Sequence, residues 1–135
     1  MFLLDTNVLV YAWDDRDPHK WKIAQGLIRL AAEGTGRAAP HLLGEYSAVM
    51  LHKVKPDVSP ANVLTALDSL SQLRVVPSNA AVIRRAVEAH ATYGIHFYDG
   101  LLVASAEQAG CTHIYSEDLS HGQRYFGVEV VNPFL

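Results

Sequence analysis

Cysteine is almost missing from this chain: Cys111 stands alone in 135 residues, which excludes an internal disulfide and any zinc site built on several thiolates. Placed after Gly110, it reads as a small buried hydrophobe. Long apolar runs are missing too. None approaches the ~18 residues of a membrane span, and Met1-Phe2-Leu3-Leu4-Asp5 carries no basic leader, so the expectation is a cytoplasmic protein with no membrane partner. Positive charge is in deficit: eleven Lys and Arg stand against fourteen Asp and Glu, a formal charge of −3. No polybasic surface therefore announces nucleic acid or an anionic membrane. Linkers, repeats and low-complexity tracts are also lacking. Short breaks at Asp17-Pro18, Gly34-Thr35-Gly36, Lys55-Pro56-Asp57, Val76-Pro77-Ser78 and Gly110 are spread evenly, and the chain reads as one domain over 1–135.

What is present is half hydrophobic, and a chain of this length hides roughly two-thirds of its unfolded surface. Phe2-Leu3-Leu4, Thr112 to Ser116 and Val128 to Val131 have the length and β-branched or aromatic character of strands. A fourth strand is expected near Arg37-Ala38-Ala39-Pro40 and a weak fifth near Arg74-Val75-Val76. Between them, helical faces are spelled by Trp21, Ala24, Ile28 and Ala31; by Leu42, Tyr46, Val49 and Met50; by Val63, Leu67 and Leu70; by Val82, Ala86 and His90; and by Tyr98, Leu102, Ser105 and Ala109. Pro18 and Pro60 suit first helical turns, Ser59 and Ser78 suit N-caps, and Gly110 suits the residue after a helix end. Short strands alternating with helices predict an α/β sandwich around a mostly parallel sheet, whose ligands bind outside the carboxyl ends of the strands.

That rule selects among the acids. Asp5 ends the first strand and is followed by Thr6 and Asn7; it serves equally as a helix N-cap. Glu45 borders the buried stripe of its helix, where glutamate is seldom placed without a partner. Asp99 stands in the first turn of an apolar helix, where the helix dipole is a sufficient structural reason for it. Asp118 follows a strand by two residues and fits a cap or an Asx-turn. Together, two acids at strand ends and two at sheet-facing helix edges can converge on one cleft. Crowded carboxylates raise one another's pKa values unless a cation lies among them, and oxygen donors without His or Cys select hard ions such as Mg²⁺. Such a site can activate water and neutralise charge on a phosphodiester.

The blocks Leu3-Leu4-Asp5-Thr6-Asn7-Val8-Leu9, Gly44-Glu45-Tyr46, Phe97-Tyr98-Asp99-Gly100-Leu101-Leu102, Ile114-Tyr115-Ser116-Glu117-Asp118-Leu119 and Val131-Asn132-Pro133-Phe134 resemble, in order and spacing, the PIN-domain family. Within it they are most similar to the VapC-type toxin ribonucleases of bacterial toxin–antitoxin pairs, over essentially the whole chain. The resemblance implies a three-layer α/β/α sandwich and Mg²⁺- or Mn²⁺-dependent endonucleolytic hydrolysis of RNA, leaving 3′-hydroxyl and 5′-phosphate ends. The family's acids map onto Asp5, Glu45, Asp99 and Asp118 as catalytic and metal-binding residues, with Glu45 either a ligand or the residue that orients water. Its small polar residues map onto Thr6, Asn7 and Ser116, which would hold carboxylates or metal waters in place. Strand parity favours Asp118 over its neighbour Glu117. Gly100 stands where the family often has Ala.

Lys53, about two helical turns past Glu45, and Arg124 and His121, just beyond Asp118, are the expected RNA contacts. Arg16, Lys20 and Lys22 near the first loop are further candidates. The resemblance also implies a VapB-type antitoxin, for which Trp13, Trp21 and the Val63-Leu64-Leu67 helix offer an apolar wall, and a homodimer is expected. Three other readings compete. One is a PIN nuclease of RNA processing rather than a toxin, and another a binding module without catalysis. The third, a haloacid-dehalogenase-like phosphatase, needs a second Asp two positions after the first, where this chain has Asn7. The seven histidines show no ligand spacing, which argues against a metal-free two-histidine ribonuclease. Setting the four acids aside leaves ten acids against eleven bases, so the negative balance is located in the pocket itself.

Overall fold

The computed structural model describes residues 1–54 and 58–135; the break read at Lys55-Pro56-Asp57 lies outside the described residues. Six strands form one sheet in the order β3-β2-β1-β4-β6-β5. They are β1 (Phe2–Leu4), β2 (Gly36–Ala38), β3 (Arg74–Val75), β4 (His113–Tyr115), β5 (Arg124–Tyr125) and β6 (Val128–Val131). All pairings are parallel except β5 with β6. The helices are α1 (Thr6–Tyr11), α2 (Pro18–Leu30), α3 (Pro40–His52), α4 (Pro60–Leu70), α5 (Ala80–Tyr93) and α6 (Phe97–Gln108).

The central strands carry apolar residues on both faces, as a doubly covered parallel sheet requires. Leu3, Ile114 and Val130 lie in one register row and pack toward Leu102, Val103 and Ala106 of α6. Phe2, Leu4 and Ala38 face the opposite way, onto Val8 and Leu9 of α1, Ala24 of α2, Tyr46 and Met50 of α3 and Val63 of α4. The expected three-layer α/β/α sandwich is therefore the observed one, with α1–α4 on one face and α5–α6 on the other.

Several local expectations shift. Ser59 caps α4 by accepting from Asn62 N, but α5 is capped by Asn79, which accepts from Val82 N, and not by Ser78. The buried stripe of α5 closes with Ala89 rather than His90, which is exposed, and Trp21 and Tyr98 also lie outside their helices' buried faces. Residues 100–106 of α6 are buried all round, so periodicity could not define a single face there. Gly110, with φ of 72°, ends α6 as expected. The two-residue β5 and the six-residue α1 carry too little pattern to be read from sequence.

Candidate active site

The parallel ladder places Asp5 and Ser116 side by side where β1 and β4 end: Asp5 N donates to Tyr115 O at 3.0 Å, and Ser116 N to Val131 O at 3.0 Å. Asp5 is both cap and site residue. Its Oδ1 accepts from Thr6 N at 2.7 Å at the start of α1, while Oδ2 accepts from Ser116 Oγ at 2.6 Å and, more weakly, from Asn7 Nδ2 at 3.5 Å. Asp5 is only 7% exposed. Burial pushes its carboxyl up to about 6; the bonds from Ser116 and Thr6 hold it down, and the charges of Asp118 and Glu45 raise it further.

Glu45 comes from α3 across the cleft and accepts from Thr6 Oγ1 at 3.1 Å. Its second oxygen bonds nothing among the described residues. Asp118 is held by its backbone, whose N–H donates to Ser116 Oγ at 3.1 Å, so one hydroxyl serves two acids. Asp5, Thr6, Asn7, Glu45, Lys53 and Asp118 line a single open cleft of about 410 Å³. Asp99, in the first turn of α6, is not on that wall, but its half-buried carboxyl is raised first by burial and then by the charge of Asp118. Asp118 thus lies within electrostatic reach of both Asp5 and Asp99, linking the acids into a row.

The neighbouring cations are largely engaged elsewhere. Arg16 lines the cleft but pairs with Asp14 at 2.6 Å. Lys20 donates to Glu117 at 2.9 Å and to the Tyr11 hydroxyl at 3.2 Å, and Tyr11 donates to Glu117 at 2.7 Å. Asp118 lines the cleft, whereas Glu117 is engaged by Tyr11 and Lys20 and is not on its wall. Lys53 reaches the cleft wall; Arg124 and His121 do not. Arg124 pairs with Glu129 at 3.5 Å on β6, and His121 Nδ1 accepts from Asn132 N at 3.0 Å. Sequence reasoning passed over Tyr11 and Val49, which also line the cleft; neither carries a signal beyond its helical position.

Among the described residues no three of these acids converge closely enough to grip an ion unaided. The donor set is nevertheless one of oxygens, and Asn7 Oδ1 is buried with no partner. A buried carbonyl oxygen without a donor beside a buried carboxylate fits a hard cation that retains part of its water.

A family model for the PIN domain matches residues 2–126. A comparison with curated proteins finds no significant match. Among solved structures, the chain is similar to a toxin–antitoxin complex from Klebsiella pneumoniae, with 16% identity, 98% of each chain covered and a TM-score of 0.72. It is similar to FitAcB from Neisseria gonorrhoeae, with 22% identity, 99% of each chain covered and a TM-score of 0.66. It is also similar to Mycobacterium tuberculosis VapC20, a sarcin–ricin loop cleaving toxin, with 20% identity, 87% of this chain and 90% of that one covered and a TM-score of 0.67. At such identities these structures speak for the fold, and the family match speaks for membership. The row of acids at the carboxyl edge of this sheet is thus carried by a chain that belongs to the PIN-domain family.

Proposed function

We propose that this chain, acting as one domain over 1–135, is a Mg²⁺- or Mn²⁺-dependent endoribonuclease and the toxin of a VapBC-type toxin–antitoxin pair. The observation that carries the reading is the convergence of Asp5, Glu45 and Asp118 on one cleft, with Asp99 within electrostatic reach of Asp118, beside the unpartnered Oδ1 of Asn7. Asp5, Asp99 and Asp118 would hold the ion, directly or through water. When bound, it polarises the phosphoryl oxygen and lowers the pKa of water at the site. Glu45, anchored by Thr6 through one oxygen, has the other free to orient a water molecule toward phosphorus. Attack by that water, with departure of the 3′-oxygen, leaves 3′-hydroxyl and 5′-phosphate ends. Lys53 on the cleft wall would meet a flanking phosphate.

The partner reading has its own support. Trp13, Trp21 and Leu64 are exposed, Leu64 by 61%. Beside Trp13 lies an apolar groove of about 180 Å³ walled by Leu9, Ile28, Tyr46 and Leu70. A helix of a VapB-type antitoxin would bury these side chains. The similar structure from Klebsiella pneumoniae is a toxin–antitoxin complex, and another from Rickettsia felis is VapBC2 bound to a DNA fragment from its promoter. Exposed Ile83 and Val87 on α5 support a homodimer. Among the described residues no helix is long and apolar enough to cross a membrane, and RNA as substrate points to cytoplasmic action.

Incubation of defined RNAs with Mg²⁺, Mn²⁺ or EDTA tests the reading. Cleavage should require the metal and vanish in Asp5→Asn and Asp99→Asn with the fold retained. Full activity in EDTA, or in both variants, would overturn it.

A further inference from the structure

Arg37 is the one basic residue among those buried in the described structure, at 7% exposure, and no carboxylate pairs with it among the described residues. Its Nη1 donates to Gly34 O at 2.8 Å and Gly36 O at 3.0 Å, and its Nη2 to Met1 Sδ at 2.8 Å. These neutral acceptors orient the guanidinium and leave its charge uncompensated, an expensive state for a buried cation. Among the described residues, the sealed side-chain polar atoms without partners are Asn7 Oδ1 and the two ring nitrogens of His41. Arg37 nevertheless lines an open cleft.

It opens beside a second arginine. Arg37 on β2 is in register with Arg74 on β3 and with Leu3 on β1, which puts both guanidinium stems on the α6 face of the sheet. Arg37, Arg74, Val76, Pro77 and Gln108 line a cleft of about 270 Å³ that has no acidic residue on its wall among the described residues. The field there is felt nearby: the Cys111 thiol, raised by burial, is drawn back by the chain's amino group and by Arg37. The cleft lies at the far end of α6 from Asp99, about 14 Å of helix away, so it is separate from the acidic row.

We infer that the Arg37–Arg74 cleft is an anion site that takes a phosphate group. One guanidinium is fixed by backbone carbonyls at the cleft wall; the other is exposed on a two-residue edge strand and can swing to complete a clamp. A tetrahedral dianion would supply the charge that no carboxylate provides. The phosphate can come from a free phosphorylated compound or from the backbone of a nucleic acid, and the inference holds whether or not the acidic cleft cleaves RNA.

Titration calorimetry of the full chain in EDTA, with inorganic pyrophosphate and with a short oligouridylate as probes, tests it. Wild type should bind, and Arg74→Glu, an exposed change that spares the core, should bind about ten-fold or more weakly, the usual worth of a lost charge-assisted contact. Loss of pyrophosphate binding in Arg74→Glu supports the site and identifies a free phosphate as sufficient. Loss for oligouridylate alone supports it with the backbone as source. If neither probe binds wild type, or Arg74→Glu binds both as wild type does, the inference is overturned.

Discussion

The hydroxyl of Ser116 donates to Asp5 Oδ2 across 2.6 Å although 111 residues separate them in the chain. The same oxygen accepts from Asp118 N at 3.1 Å. Ser116 is fully buried, and its hydroxyl partly offsets the upward push of burial on Asp5 while holding the backbone of Asp118. Ser116→Ala should cost about 1.5–3 kcal/mol in urea melts, the usual worth of a hydrogen bond to a charged group. It should also make Asp5 easier to protonate, moving the acidic limb of the cleavage–pH profile upward, and Ser116→Thr should restore the limb. A melt that drops with an unmoved limb would leave Ser116 a packing residue only.

The raised carboxyl of Asp5 couples stability to pH. Its folded value of about 6 lies above the ordinary 3.8. The contribution is therefore fully present below 3.8 and lost as pH rises through about 6, worth about 3 kcal/mol over the window. Metal-free wild type should accordingly gain melting temperature relative to Asp5→Asn as pH falls from 7 to 5. His41 acts in the opposite sense in both proteins: burial pushes its imidazole down to about 4, so its contribution is present above 6.5 and lost as pH falls through about 4, and it cancels from the comparison. Adding Mg²⁺ at neutral pH should raise the melting temperature of wild type and leave Asp5→Asn unmoved. A difference between wild type and Asp5→Asn that is the same at both pH values in EDTA would contradict the burial of a charged Asp5.

Asp5, Glu45 and Asp118 were legible because an acid at the end of an apolar strand, or beside a buried stripe, has few structural reasons to be there. β1, β4 and β6 were legible as short runs of apolar, aromatic and β-branched residues of strand length, although β4 carries His113 and β6 carries Glu129. What stayed hidden depends on register between distant segments. Lys20 is a surface lysine in the sequence and an ion-paired one in the fold, because Glu117 lies 97 residues away. The pairing of Arg37 with Arg74 exists only through the β2–β3 ladder. Arg124 and His121 follow Asp118 closely in sequence, but the chain turns into the β5–β6 hairpin and carries them off the cleft.

Gly100 is a departure from the family pattern that the structure explains. A Cβ there would lie 2.6 Å from Ala86 O and 3.4 Å from Ala89 Cβ, because α5 and α6 pack backbone to backbone at this point. The obstacle at 2.6 Å is a carbonyl of α5, which cannot rotate away. Gly100→Ala should therefore destabilise, by about 1–3 kcal/mol, despite alanine's better helix propensity. It should also disturb the adjacent Asp99, so that cleavage falls more than the melt alone explains. Chemical denaturation with parallel rate measurements checks both; a stabilised variant would show that the two helices part without cost.

Glu117 fastens the loop that carries Asp118. Its carboxylate accepts from the Tyr11 hydroxyl and from Lys20, whose Nζ lies 4.6 Å from the Tyr11 ring centre and 5.5 Å from that of Phe134. Tyr11 and Phe134 meet edge to face at 5.2 Å, so α1, α2 and the final residues close on one acid. The pair is partly exposed, and its contribution to stability should stay below about 1 kcal/mol. Its effect on position should be larger. Glu117→Gln keeps an acceptor for Tyr11 and loses the ion pair; we expect kcat to fall about ten-fold with KM unchanged, since small misplacements of reacting groups are costly. Lys20→Met should do the same, and the double variant should add nothing, because both changes open one network. Unchanged kcat in both single variants, or additive losses in the double, would remove Glu117 from the positioning of Asp118.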